Sequence, residues 1–200
     1  MSPIAIDVVL LPDTAMTDKA IALNRMLVGD DSREIVLGRE TRLPHISLAM
    51  GCIDESDIDA IAGLLRNLAR KEPVGRLRIT GIVTSTNARG QKTSLLEVER
   101  TPALQALHES VMEELSPFFR HEASAAAVCD DVVAETTLEW IRRYREKAAF
   151  ERFLPHITIG YGQMPDEPPF PIDFNVAELA LCHLGNHCTC RRVLTSVPLR

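Results

Sequence analysis

Two short stretches of this sequence hold the same reactive side chains in the same frame. Leu43 to Gly51 reads LPHISLAMG, and Leu154 to Gly162 reads LPHITIGYG. Each sets a histidine after Leu-Pro and a hydroxyl residue two positions later. In a strand, residues i and i+2 share a face. His45 and Ser47 then point one way while Ile46 and Leu48 point the other. His156 and Thr158 likewise oppose Ile157 and Ile159. Pro44 and Pro155 suit the start of a strand and not its interior, so they fix where each strand begins and which face the histidine takes.

Two such strands facing each other across a groove would gather two imidazoles and two hydroxyls. Imidazole titrates near pH 6.5, so one ring can be neutral and the other charged near neutrality. The neutral ring takes a proton and the charged one gives one to a leaving group. The hydroxyls can donate to non-bridging oxygens as charge develops. A phosphodiester fits this pairing, because one oxygen enters and another leaves on opposite sides of phosphorus. Two hydrogen bonds of about 3 Å to those oxygens would leave the reactive nitrogens roughly 5–8 Å apart. No metal or other cofactor is called for.

The elements that must position these residues are legible in outline. Ile4–Leu11 reads as a strand closed by Pro12-Asp13. Asp18–Val28 has helical apolar spacing, with Gly29 as its stop. Glu34–Leu37 reads as a short strand, and His45–Met50 as the first motif strand, ended by Gly51. Asp54, Ser56 or Asp57 can cap a helix whose apolar face is Ile58, Ile61, Leu64, Leu65 and Leu68. Leu77–Thr84 and Thr93–Val98 form a hairpin around the turn residues Asn87–Gln91. Thr101-Pro102 opens a helix to about Leu115. Residues 116–136 are the least regular part, with Glu122–Ala134 a mobile loop or short helix. Thr137–Phe150 is a helix, His156–Tyr161 the second motif strand, and Met164–Pro171 a proline-rich loop. Val176–Leu184 and Cys190–Val197 close the chain as a hairpin. Without a low-complexity linker, the order suggests a weak internal repeat of two α+β lobes facing each other.

Composition agrees with a globular chain and narrows its partners. Two hundred residues, 46% of them hydrophobic, suit one medium domain or two small lobes sharing a core. A net charge of −6 argues against sequence-blind binding to duplex nucleic acid, but allows a substrate with few phosphates. No apolar run approaches the roughly 18 residues of a membrane span. The first residues read as a strand rather than a signal peptide. Five cysteines, not spaced as a disulfide scaffold, point to a reducing cytoplasm.

His45-Ile46-Ser47-Leu48 and His156-Ile157-Thr158-Ile159 resemble the paired His-x-Thr/Ser-x motifs, x hydrophobic, of the two-histidine phosphoesterase superfamily. That superfamily includes bacterial and archaeal 2′-5′ RNA ligase-like proteins and 2′,3′-cyclic nucleotide phosphodiesterases. The resemblance covers most of the chain in layout and is sharp at the motifs. It implies a single bilobal α+β domain over residues 1–200, with pseudo-symmetric lobes of mainly antiparallel sheet, helices on the outer faces and a central cleft. The sequence halves would be about 1–90 and 91–200, with strands open to exchange between lobes. It implies action on RNA ends or cyclic nucleotides, with His45 and His156 as the acid–base pair and Ser47 and Thr158 as phosphate donors. Ser47 stands where threonine is commoner; serine keeps the donor and loses only χ1 stiffness.

Other residues are open to two readings. Tyr161, by alternation from Thr158, falls on the aliphatic face unless a bulge at Gly160 turns it toward a ligand. Arg42 and Arg39, just before the first motif, are either solvated surface charges or part of a loop that could reach a substrate phosphate. Cys182, His183, His187, Cys188 and Cys190 invite a zinc site, but their spacing better suits a structural hairpin with its tip at Gly185-Asn186 and with Cys188 and Cys190 on one face of its second strand. His108 and His121 read as surface residues. The remaining alternative is an RNA-end binding module that keeps the cleft without turnover.

Overall fold

The computed structural model describes residues 2–28, 35–86, 90–164 and 168–199. Ten strand-forming residues make β1 (Pro3–Pro12), which turns at Asp13 into α1 (Thr14–Val28). This helix starts a turn earlier than its apolar spacing suggests, because the Asp13 carboxylate accepts the Met16 N–H at 2.9 Å and caps it. Its expected stop, Gly29, lies outside the described residues. Then follow β2 (Ile46–Asp54), α2 (Ile58–Lys71), and the hairpin of β3 (Leu77–Thr86) and β4 (Lys92–Val98). Part of the turn expected at Asn87–Gln91 is likewise outside the described residues. The remaining elements are α3 (Pro102–Leu115), α4 (Glu135–Ala148), β5 (His156–Tyr161), β6 (Ile172–Phe174), β7 (Val176–Leu184) and β8 (Cys190–Pro198). Thr101 caps α3 as expected, its hydroxyl accepting the Leu104 N–H at 3.2 Å.

The strands form two antiparallel four-stranded sheets, one ordered β2-β1-β7-β8 and the other β5-β4-β3-β6. The first draws its strands from both ends of the chain and the second from its middle. Each carries one motif strand at an edge. The core faces of both sheets are aliphatic, with Ile6, Val8, Leu10, Ile46 and Leu48 buried in one and Leu96, Ile157 and Ile159 in the other. The lobed α+β architecture follows, with a cleft between the sheets.

The helices cross between the two motif regions. α1, which follows β1, packs against β5; α3, which follows β4, packs against β2. α2 lies against α3, β7 and β8, while α4 packs against β2 and contributes to the cleft wall. Among the described residues no helix is long and apolar enough to cross a membrane.

Several local expectations are corrected. Gly51 does not end the first motif strand, which continues to Asp54. Glycine is needed there because a Cβ would lie 2.3 Å from the Phe119 ring. Ile35–Leu37 is not a strand: Asn24 on α1 supplies the partners instead, accepting the Leu37 N–H and donating to the Ile35 carbonyl. Glu34 lies outside the described residues. The Asp57 side chain at the start of α2 makes no capping bond; Asp54 and Asp57 pair with Arg120. Glu122–Ala134 holds only a 3-10 turn at Ala125–Ala127, anchored where Arg142 donates to the Ala123 carbonyl. The proline-rich stretch ends in β6, paired with β3; residues 165–167 are outside the described set. His108 is fully buried rather than exposed, while His121 is at the surface as expected, its Nε2 3.0 Å from Asp54.

Candidate active site

The second motif strand begins at its histidine, and the first begins one residue after His45. In each, the Nδ1 atom lies against the carbonyl of the residue two positions earlier. His45 Nδ1 is 2.7 Å from the Leu43 oxygen, and His156 Nδ1 is 2.8 Å from the Leu154 oxygen. A carbonyl only accepts, so Nδ1 carries the proton and Nε2 of each neutral ring keeps its lone pair. The Leu-Pro segment therefore does more than start the strand, because its leucine carbonyl sets the tautomer. Both rings line one cavity of about 490 Å³, together with Ser47 and Thr158. β2 and β5 come into contact there.

A β-bulge interrupts each motif strand at the same place. Val9 pairs with Ser47 and Val8 with Ala49, so Leu48 has no cross-strand partner. Leu95 pairs with Thr158 and Ser94 with Gly160, so Ile159 has none. Each bulge resets the alternation. Met50 and Tyr161, both five residues after their histidines, consequently join the cleft face. Tyr161 therefore lines the cavity that holds the motif histidines. Gly160 sits at φ 154°, where a Cβ would press on Asn24 at 3.1 Å.

The carbonyls freed by the bulges are taken by buried side chains. His108 on α3 donates from Nδ1 to the Leu48 oxygen at 2.8 Å, while its Nε2 accepts the Phe150 N–H at 2.8 Å. It stacks on Phe153 with ring centroids 3.9 Å apart. Asn24 on α1 donates to the Ile159 oxygen at 2.6 Å. Each motif strand is thus held by the helix that follows the other motif's neighbouring strand.

Burial makes the imidazoles poor proton holders. His45 is pushed down to about 4 by loss of solvent and, secondarily, by the nearby His156, against the Leu43 carbonyl, which raises it. His156 is also lowered by burial. Beneath His45 lies Asp7 of β1, fully buried, its Oδ2 3.8 Å from His45 Nε2. Ser47 donates to the same oxygen at 2.6 Å. Desolvation holds the Asp7 carboxyl well above the usual carboxylate range, although the bonds from Ser47 and the Ala49 amide oppose it. Ser47 therefore meets the cleft already engaged from below. Thr158, by contrast, makes no side-chain hydrogen bond among the described residues.

The rest of the lining includes residues that the motifs did not reveal. The cleft faces of Thr137, Trp140 and Tyr144 come from α4. Trp140, 38% exposed, and Leu154, 73% exposed, form an apolar rim. His187 and Cys188 enter from the 3-10 turn between β7 and β8, both with left-handed backbone at φ 58° and 54°. His187 Nδ1 lies 2.9 Å from the Tyr161 hydroxyl. Asn186 Oδ1 accepts from Ala134, Thr137 and His187 N–H or O–H groups, which turns its amide nitrogen toward His187 Nε2 at 3.2 Å. Nε2 therefore accepts, and the Nδ1–H donates to Tyr161. Arg42 borders a smaller recess of about 20 Å³ beside His45 and Thr158. Arg39 turns away to pair with Asp18.

The cysteine-rich hairpin is structural, but its chemistry differs from both sequence readings. Cys182 and Cys190 face each other across β7 and β8 and are joined as a disulfide, which removes both as thiolate ligands. Cys188 is in the turn rather than on a strand face with Cys190. Among the described residues no three or more His, Cys, Asp or Glu side chains are placed to hold a metal ion.

Similarity to known proteins agrees with this layout. Over its full length the chain resembles TT0787 of Thermus thermophilus, with a TM-score of 0.64 at 18% identity, covering 98% of each chain. It also resembles E. coli LigT in its complex with NADP+, with a TM-score of 0.56 at 14% identity, covering 99% of each chain. A structure described as a phosphoesterase gives 0.60 at 13% identity, covering 99% of each. Identities this low bear on the fold alone. A search among curated proteins gives no significant match. The sequence itself matches the family model for the 2′-5′ RNA ligase superfamily over residues 36–187, from ahead of the first motif to the cleft-lining His187, and the chain belongs to that superfamily.

Proposed function

We propose that the protein is a metal-independent phosphoesterase acting on RNA ends or nucleotides. It hydrolyses a 2′,3′-cyclic phosphate, or makes or breaks a 2′-5′ linkage, by proton transfer between His45, His156 and the reacting oxygens. Membership of the superfamily supports the phosphoesterase class. The observation that carries the rest is the matched anchoring of both imidazoles, each with Nδ1 on a backbone carbonyl, beside one cavity.

In this reading one neutral Nε2 takes the proton of the nucleophile, and the other ring returns a proton to the departing ribose oxygen. Thr158 donates to a non-bridging phosphate oxygen. Tyr161, positioned by His187, and Arg42 in the adjoining recess contact the same phosphate or its sugar. The aromatic rim at Trp140 suits a nucleobase. The solved complexes of E. coli LigT with 3′-AMP and with phosphate support a ligand of this size.

The test is turnover of 2′,3′-cyclic mononucleotides and of RNA oligomers with defined ends. Activity that resists EDTA and drops by about 10³-fold or more in His45→Ala and in His156→Ala is expected. Full activity in either variant overturns the proposal. Tight binding of cyclic-phosphate RNA without product also overturns it, in favour of an end-binding module.

A further inference from the structure

We propose that Asp7 enters the reaction protonated and supplies, through His45, the proton taken by the departing ribose oxygen, leaving His156 to accept the proton of the attacking water. This rests on the phosphoesterase reading above and assigns the two histidines different roles within it.

The two halves of the site differ in what lies beneath their motif strands. Met50 pairs across β2 and β1 with Asp7, whereas Tyr161, its counterpart, pairs across β5 and β4 with Thr93. A carboxyl therefore lies beneath one motif and a neutral hydroxyl beneath the other. Asp7 is fully buried, and its Oδ1 has no hydrogen-bond partner among the described residues. An ionised carboxylate with one orphan oxygen in such a place is costly, and the neutral acid relieves that cost.

Its surroundings offer no compensating cation among the described residues. The titratable or sulfur groups around it are His45 just before β2, Tyr144 from α4, Cys188 from the turn before β8, and Cys182 from β7, already in its disulfide. Tyr144 and Cys188 are themselves held in their neutral forms by burial. Ser47 is bonded to Oδ2, which lies 3.8 Å from His45 Nε2, so proton transfer between them requires the ring to close that gap.

The reaction needs a proton for its leaving group, and both rings are disposed to be neutral. Asp7 is the acid adjacent to one of them. In hydrolysis, water forms the new P–O bond and gives its proton to His156 Nε2. As the bond from phosphorus to the ribose oxygen breaks, Asp7 gives its proton to the bare His45 Nε2, and the ribose oxygen takes that proton from Nε2. His45 ends the step neutral and Asp7 ends it as carboxylate. The cycle closes when His156 returns its proton to Asp7 through solvent.

Asp7→Asn keeps the shape and a partner for Ser47 but has no acid proton to give. Its test compares a 2′,3′-cyclic nucleotide with a nucleoside p-nitrophenyl phosphodiester, whose phenolate leaves without a proton. Asp7→Asn and His45→Ala are expected to lose about 10²-fold or more on the cyclic substrate and less than about 10-fold on the nitrophenyl ester. His156→Ala should lose heavily on both. Equal losses of Asp7→Asn on the two substrates, or no loss, overturn the assignment. A second measurement does not depend on turnover: the infrared difference spectrum of wild type minus Asp7→Asn near pH 7. A protonated carboxyl band supports the proposal, and a carboxylate band overturns it. If wild type cleaves no cyclic phosphate yet shows the protonated band, the substrate reading fails while the buried proton stands.

Discussion

Leu48 and Ile159 hold equivalent places in the two motif strands, and each offers its carbonyl to a buried side chain from the opposite half of the sequence. Leu48 bonds to His108 of α3, and Ile159 to Asn24 of α1. Both carbonyls sit at bulges, three residues after the histidine. A bulge left unpaired in a dry interior would cost free energy comparable to a lost hydrogen bond. The two side chains remove that cost and fix the strand where it bends beside the cleft.

Replacing His108 by phenylalanine preserves the stack on Phe153 but strands the Leu48 carbonyl and the Phe150 amide. The expected loss is about 2–5 kcal/mol in urea unfolding. Asn24→Leu should cost a similar amount. Because the two sites share no partner, their effects should add in the double variant. A cost below about 0.5 kcal/mol for both single variants would show that the bulges hold without them.

His108 also makes stability depend on pH. Its ordinary value is 6.5, and burial, opposed by the Leu48 carbonyl, lowers it in the folded protein to about 4. Between those values the unfolded chain binds a proton that the folded one refuses. Stability is thus complete above about pH 6.5 and is lost as pH falls toward 4, by about 3 kcal/mol from this residue. His45 and His156 act in the same direction. Unfolding free energies measured from about pH 8 to 4 should show a shallower slope in His108→Phe than in wild type.

Gly51→Ala places a methyl into the Phe119 ring. An expected destabilisation of about 1–3 kcal/mol, read by thermal unfolding, follows from overpacking. The double variant Gly51→Ala with Phe119→Leu should recover part of it. An unchanged melting temperature in Gly51→Ala alone would contradict the close approach.

Substrate contacts separate from proton transfer in the kinetics. Trp140→Ala removes an apolar face at the rim and is expected to raise KM several-fold with kcat little changed. Tyr161→Phe removes a hydroxyl aimed by His187 and is expected to lower kcat. A kcat effect at Trp140 equal to that at Tyr161 would place the rim against the reacting atoms.

The motifs were the most legible part of the site because alternation alone sorts His45 and Ser47 from Ile46 and Leu48. The cleft's other residues were not. Bulges at Leu48 and Ile159 break the period of two, so Met50 could not be placed from it, and Tyr161 only by invoking a bulge. His108 did leave a sign: with Leu104, Leu107, Val111 and Leu115 it follows the apolar stripe of α3, and its position argued burial more strongly than its type argued exposure. Asp7, in the middle of a strand buried on both faces, left a similar sign. β6 was hidden because three residues beside a proline-rich stretch have no period to detect. The disulfide between Cys182 and Cys190 depended on the register of a hairpin whose ends were visible but whose pairing was not.

The crossing of α1 and α3 has a consequence for how the cleft behaves. A molecule built from two lobes usually has a seam along which it opens like a jaw. Here that seam is stitched from both sides, since parting the two motif strands would pull Asn24 from Ile159 and His108 from Leu48 together. The cleft is therefore a fixed mould, and a fragment cut between the halves would take with it the clasp that the other half needs.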